Sequence, residues 1–153
     1  MPHSTASDRV NQLLRALGDE GGPAVVLNDQ DLCSLTVDER LECNLEVDGE
    51  SLIIFAPLLR LPTGGLTDFL SNALRANLFG LDTAGGHLGL CDQSGFLVYS
   101  RTLELERLDE ALFLDIFEDF VQVALELEDD FSRAPTSHID PNPTAVNTAA
   151  LRV

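Results

Sequence analysis

Val10, Leu13, Leu14 and Leu17 recur at helical spacing behind the N-cap candidates Ser4, Thr5 and Ser7, and Gly18 is a suitable stop. The first element is therefore a short amphipathic helix. Residues 19–23 form a loop by composition, and the pattern then changes from helical to alternating. Cys33, Leu35 and Val37 alternate with Ser34 and Thr36, and Leu41, Cys43, Leu45 and Val47 alternate with Glu42, Asn44 and Glu46. Asp48-Gly49 turns the chain into the apolar run of residues 52–60. Together these stretches predict a three-stranded antiparallel meander.

Pro62, Thr63, Gly64 and Gly65 interrupt the chain before a second helix over residues 67–78, with Gly80 as its stop. Its wide apolar stripe comprises Leu66, Phe69, Leu70, Ala73, Leu74 and Leu78. Residues 87–91 and 96–105, joined by the turn Asp92-Gln93-Ser94-Gly95, form a two-stranded antiparallel pair. A third helix starts at the N-cap Asp109, with Leu108 and Phe113 as a hydrophobic staple, and runs to Phe131 along Leu112, Ile116, Phe120, Ala124 and Leu127. Strand runs separated by helices, without βαβ alternation, predict an α+β sandwich of one domain over residues 1–131. Residues 132–153 contain Pro135, Pro141 and Pro143 and no apolar period, which reads as a flexible tail.

Nine Arg and no Lys stand against 26 Asp and Glu among 153 residues, a net charge of −17. Residues 1–131 alone carry −18, from seven Arg against 25 acids. Mean hydropathy is +0.08, so this is an acidic chain apolar enough to fold. Phosphate backbones and anionic headgroups are repelled by such a field, which argues against nucleic-acid and membrane partners. The longest apolar stretch, residues 52–59, is far short of a bilayer span, and the N-terminus lacks the basic start of a signal peptide. The chain reads as cytosolic.

Candidate chemistry is sparse. Gly85-Gly86-His87-Leu88-Gly89 has the wrong spacing for a phosphate loop and enters a strand instead of a helix. His87 and Cys91 lack the further ligands of a zinc site, so no metal or cofactor is expected. Cys33, Cys43 and Cys91 sit in alternating apolar stretches and read as reduced core thiols, with Glu42 and Asp92 placed to raise the pKa of their neighbours. With no Trp and one Tyr, the chain lacks the aromatic platforms of a glycosidase. The acids Glu126, Glu128, Asp129 and Asp130 end a helix whose dipole they oppose, and they lack the loop pattern of an EF-hand. What remains is a surplus of apolar stripes, which suggests interfaces.

Residues 66–127 resemble the CesT/Tir-type class I type III secretion chaperones of Gram-negative bacteria. The resemblance is carried by residues 70–81 (LSNALRANLFGL), the Gly-Gly-x-Leu-Gly-Leu of residues 85–90, the strand over 96–105, Leu108-Asp109, and residues 114–124 (LDIFEDFVQVA). More loosely it covers residues 7–131. Two departures are Leu127, where many members have Trp, and residues 132–153, which extend past the usual third helix.

The resemblance implies a cytoplasmic homodimer, without catalytic activity, that binds the N-terminal region of a secreted effector in extended form. It also implies delivery of that effector to the secretion apparatus, with the apparatus ATPase as a further partner. Leu66, Phe69, Leu70, Ala73, Leu74 and Leu78 are the expected dimer interface. Val10, Leu13, Leu14 and Leu17, with Cys33, Leu35 and Val37 of the neighbouring strand, are the expected effector contacts. On that reading the acidic field supplies solubility and leucine pockets supply affinity. A non-secretory protein-binding module of the same fold and a small acidic hydrolase are the competing readings.

Overall fold

The computed structural model describes residues 5–18 and 24–133. The chain runs α1 (Thr5–Leu14), β1 (Leu32–Val37), β2 (Leu41–Asp48), β3 (Ser51–Arg60), α2 (Leu66–Ala76), β4 (His87–Cys91), β5 (Phe96–Glu104) and α3 (Glu110–Arg133). Single 3-10 turns follow α1, α2 and β5. Ser4 and the loop over 19–23 lie outside the described residues, as does the predicted tail from residue 134 on. Ser132 and Arg133, predicted to begin that tail, belong to α3, where the Ser132 hydroxyl donates to the Glu128 carbonyl at 2.7 Å.

The two predicted strand groups are one antiparallel sheet, in the order β1-β2-β3-β5-β4. The join is a long pairing of β3 with β5, from Ser51 opposite Glu104 to Arg60 opposite Phe96, with a register shift between Pro57 and Leu59. Alternation then divides the sheet into two faces. Leu41, Cys43, Leu45, Leu52, Ile54, Ala56, Leu97, Tyr99 and Leu103 point into the core. The three helices cover that face. Tyr99 stacks on Phe120 of α3 with ring centroids 4.7 Å apart, and Phe69 of α2 meets Phe131 of α3 edge-on at 5.3 Å.

Local signals set the helix boundaries. The Leu112 N–H donates to Asp109 Oδ1 at 2.8 Å, so Asp109 caps α3, and Leu108 and Phe113 are both buried beside it. At the other end of α3, an arginine offsets the acids that oppose the dipole. Arg40, in the β1–β2 turn, places Nη2 2.8 Å from Glu128 Oε2 and 2.6 Å from Asp129 Oδ1. The hydrogen bond from Arg40 holds the Asp129 carboxyl below its ordinary pKa. Between α2 and β4, the Tyr99 hydroxyl donates to the Thr83 carbonyl (2.8 Å) and the Thr83 hydroxyl to the Gly86 carbonyl (2.7 Å). A Cβ on Gly86 would lie 2.5 Å from the Tyr99 ring, so glycine permits the backbone to pass over it.

Candidate protein-binding surfaces

The residues expected to meet an effector are mostly inside the molecule. Val10, Leu13, Leu14 and Cys33 are buried members of the core, and Leu17, Leu35 and Val37 are half-buried against it. The expectation that α1 presents a free leucine face is therefore corrected: three helices share one sheet face, and α1 closes its β1–β2 end. Polar ties hold it there. Arg9 Nη2 donates to the Leu108 carbonyl at 2.8 Å, and Asn11 Oδ1 accepts the Leu27 N–H at 2.8 Å.

The two edges of the sheet differ. On β4, the Leu88 N–H donates to Asn77 Oδ1 (2.7 Å) and Asn77 Nδ2 donates to the Leu88 carbonyl (2.9 Å). At Leu88 one side chain thus takes the place of a neighbouring strand, while the outward backbone groups of Leu90 have no partner among the described residues. On β1, Asn28 does the same only at the start, pairing with the N–H and carbonyl of Leu32. By antiparallel alternation the backbone groups of Ser34 and Thr36 also point away from β2, and among the described residues nothing pairs with them. The β1 edge is open to a further strand.

A second surface is the sheet face that no described helix covers. Ile53, Phe55 and Pro57 of β3 and Phe96 and Val98 of β5 lie on it half-exposed, outside the core cluster. The Arg60 guanidinium sits 4.9 Å from the centre of the Phe96 ring at its end.

A third surface surrounds the end of α2. Of the six residues expected at a dimer contact, Phe69 and Ala73 are core, Leu70 is half-buried against it, and Leu66, Leu74 and Leu78 are exposed. The exposed set continues beyond the helix: Leu74 is 72%, Phe79 83% and Leu81 81% accessible, with Leu90 of β4 also exposed. The sequence reading missed Phe79, Leu81 and Leu90. The first two follow the helix directly and break its period, so periodicity gave no reason to include them. Phe79 adopts φ 57°, a left-handed backbone costly for a bulky residue. Beside the patch, a groove of about 530 Å³ between α2 and α3 has Ala76, Leu81, Val123, Leu127 and Phe131 among its lining residues.

Among the described residues, no group of three or more His, Cys, Asp or Glu is arranged to hold a metal ion, and no helix is long and apolar enough to cross a membrane. The three thiols are free, and they divide by environment. Burial pushes the Cys43 thiol up to about 12, with Glu42 adding to it, and burial also raises Cys33. Cys91, expected to be raised by Asp92, is instead lowered, because hydrogen bonds from Ser94 outweigh that charge. At neutral pH a thiol-specific disulfide reagent should label Cys91 first, and Cys33 and Cys43 only after denaturation; equal rates would contradict the assignment. Because its folded pKa is raised, Cys43 contributes stability that is fully present below the ordinary thiol value of 9.0 and declines as pH rises toward 12.

The Tir chaperone protein (CesT) family matches residues 10–128, more than three quarters of the chain. The chain belongs to this family. Among solved structures, a chain of the HopA1–SchA chaperone–effector complex matches with a TM-score of 0.65 at 21% identity, over 87% of this chain and 100% of that one. A chain of the ExoT–SpcS complex from Pseudomonas aeruginosa matches with a TM-score of 0.58 at 25% identity, over 80% of this chain and 98% of that one. The fold also occurs in YbjN, a putative transcription regulator from E. coli, with a TM-score of 0.59 at 11% identity, over 82% of this chain and 90% of that one. Comparison with curated protein sequences finds no match.

Proposed function

We propose that this chain is a type III secretion chaperone in the cytoplasm of a Gram-negative bacterium. It holds the N-terminal region of an effector in extended form and, as a homodimer, delivers it to the secretion apparatus and its ATPase. No catalytic step is involved. Membership of a chaperone family and likeness to a chaperone–effector complex support the reading. The observation that carries it is the edge of β1, where the outward backbone groups of Ser34 and Thr36, unpaired among the described residues, lie beside half-buried Leu35 and Val37. An extended segment added there gains main-chain hydrogen bonds and side-chain contacts together, without needing a folded partner. The apolar end of α2 supports the second copy.

The test is co-expression of the full chain with N-terminal fragments of secreted proteins from the same bacterium. A soluble complex should form with at least one fragment. Thr36→Pro removes an outward-facing N–H without touching the β1–β2 ladder, and should weaken that complex while leaving the melting temperature near wild type. A chain that binds no secreted fragment but binds a resident protein would overturn the reading in favour of a non-secretory module, which the likeness to YbjN keeps in view.

A further inference from the structure

The negative charge is not spread along the fold. Residues 1–50 hold three Arg against 11 acids, residues 104–153 three against 12, and residues 51–103 three against three. The whole net charge therefore lies outside β3, α2, β4 and β5. On the face that no described helix covers, this partition becomes a boundary between neighbouring strands. The outward side chains of β2 are Glu42, Asn44, Glu46 and Asp48, and its three acids are exposed. Next to them β3 presents Ile53 and Phe55 outward, Glu46 opposite Ile53 and Asn44 opposite Phe55. The apolar column continues onto β5, where Val98 lies opposite Pro57.

We propose that this face selects its ligand by two zones, taking an extended segment of the effector with apolar residues over β3 and β5 and Arg or Lys over β2. The proposal rests on the chaperone reading above and specifies the chemistry of its ligand. Strands are spaced about 4.8 Å and an extended chain advances about 3.3 Å per residue. Crossing from β5 to β2 takes three or four residues, so the two blocks follow one another closely. A purely apolar segment leaves the acids unmatched; a purely basic one leaves Phe55 and Val98 in water. A second copy of this chain is a poor occupant of the acidic zone. It has no lysine, its nine arginines form no run, and Arg60, at the edge of the apolar zone, already lies over Phe96.

The probes are two fluorescein-labelled synthetic peptides sharing an alternating apolar block, one followed by three arginines and one by three glutamates, with the arginine block alone as control. The full-length protein should bind the apolar–arginine peptide at least tenfold more tightly than either of the others at low salt. Glu42→Lys with Glu46→Lys should reverse the preference toward the glutamate peptide, and Phe55→Ser should weaken both apolar peptides. The proposal is overturned if the double variant keeps the wild-type preference, if the arginine block alone binds as tightly, or if no peptide binds. It is overturned equally if a synthetic copy of residues 134–153 displaces the probe as well as the probe displaces itself, or if raising the protein concentration expels it; the occupant is then the chain's own C-terminal segment or a second copy. Failure of the peptides while secreted fragments still co-purify refutes the two-zone surface alone. The reverse pattern refutes the chaperone reading alone.

Discussion

Leu14→Glu is expected to unfold the protein. Leu14 has no accessible surface and packs in the cluster with Val10 and Leu13, where α1 covers the sheet. Removing the side chain alone, as in Leu14→Ala, costs about 2–5 kcal/mol at such sites. A carboxylate there must be carried neutral, which at pH 7 adds about 3–4 kcal/mol for an acid of ordinary pKa about 4.3, so the total should reach about 6–8 kcal/mol. Against a native stability of about 5–15 kcal/mol, little folded protein remains at the lower end. Gln12→Glu, on the exposed side of the same helix, should change stability by no more than about 0.5 kcal/mol. Thermal melts followed by circular dichroism separate the two, and a native-like melt for Leu14→Glu would mean that α1 is not part of the core.

Leu14 also marks how far the sequence could be read. The spacing of Val10, Leu13, Leu14 and Leu17 predicts an apolar helix face whatever that face meets, because periodicity records burial and not the burying partner. Its destination became legible only once β4 and β5 joined the meander and all three helices lay on one side. That join is non-local. It places Ser51 opposite Glu104 through a bulge near Pro57, and nothing in the period of either strand encodes the pairing.

Elements with their own local chemistry were read closely. Asp109 caps α3 as predicted, Gly49 supplies the positive φ of the β2–β3 turn, and α2 occupies residues 66–76 against the predicted 67–78. Side chains acting at a distance left no signal. Asn77 pairs with Leu88 on the next strand and Arg40 with Asp129 near the end of α3, and in each case one polar residue in a turn or helix end reaches into another element. The unbroken apolar run of β3 has a similar explanation. One face is core and the other is the uncovered face with Ile53 and Phe55, so the alternation of a half-solvated strand never appears.

The other large expected effect falls on the exposed end of α2. Leu74→Asp combined with Phe79→Asp should convert the proposed dimer to monomers at micromolar concentration, with a cooperative melting transition that is lowered only by the lost association and no longer depends on protein concentration. Both side chains stand in water in the single chain, so the new charges are solvated there and their cost appears only on association. An isologous contact repeats each change on both subunits, burying four unpaired carboxylates. About 1 kcal/mol for each already gives about 4 kcal/mol, roughly a thousandfold in dissociation constant. The location follows from charge as well as exposure. Between residues 69 and 91 the chain has one acid, Asp82, and one arginine, Arg75, so two copies of a protein of net charge −17 can approach there without their acidic strands facing each other. Leu70→Asp is the contrasting case, because Leu70 leans on the core and its loss should lower the melting temperature whatever the oligomeric state. Phe79→Gly removes the ring and relieves the left-handed strain at φ 57°, at a similar entropic cost, so association should weaken while the fold of each subunit is retained. Light scattering on the wild type and the three variants decides the matter: a wild-type monomer removes the dimer, and a Leu74→Asp, Phe79→Asp protein that stays dimeric moves the contact elsewhere.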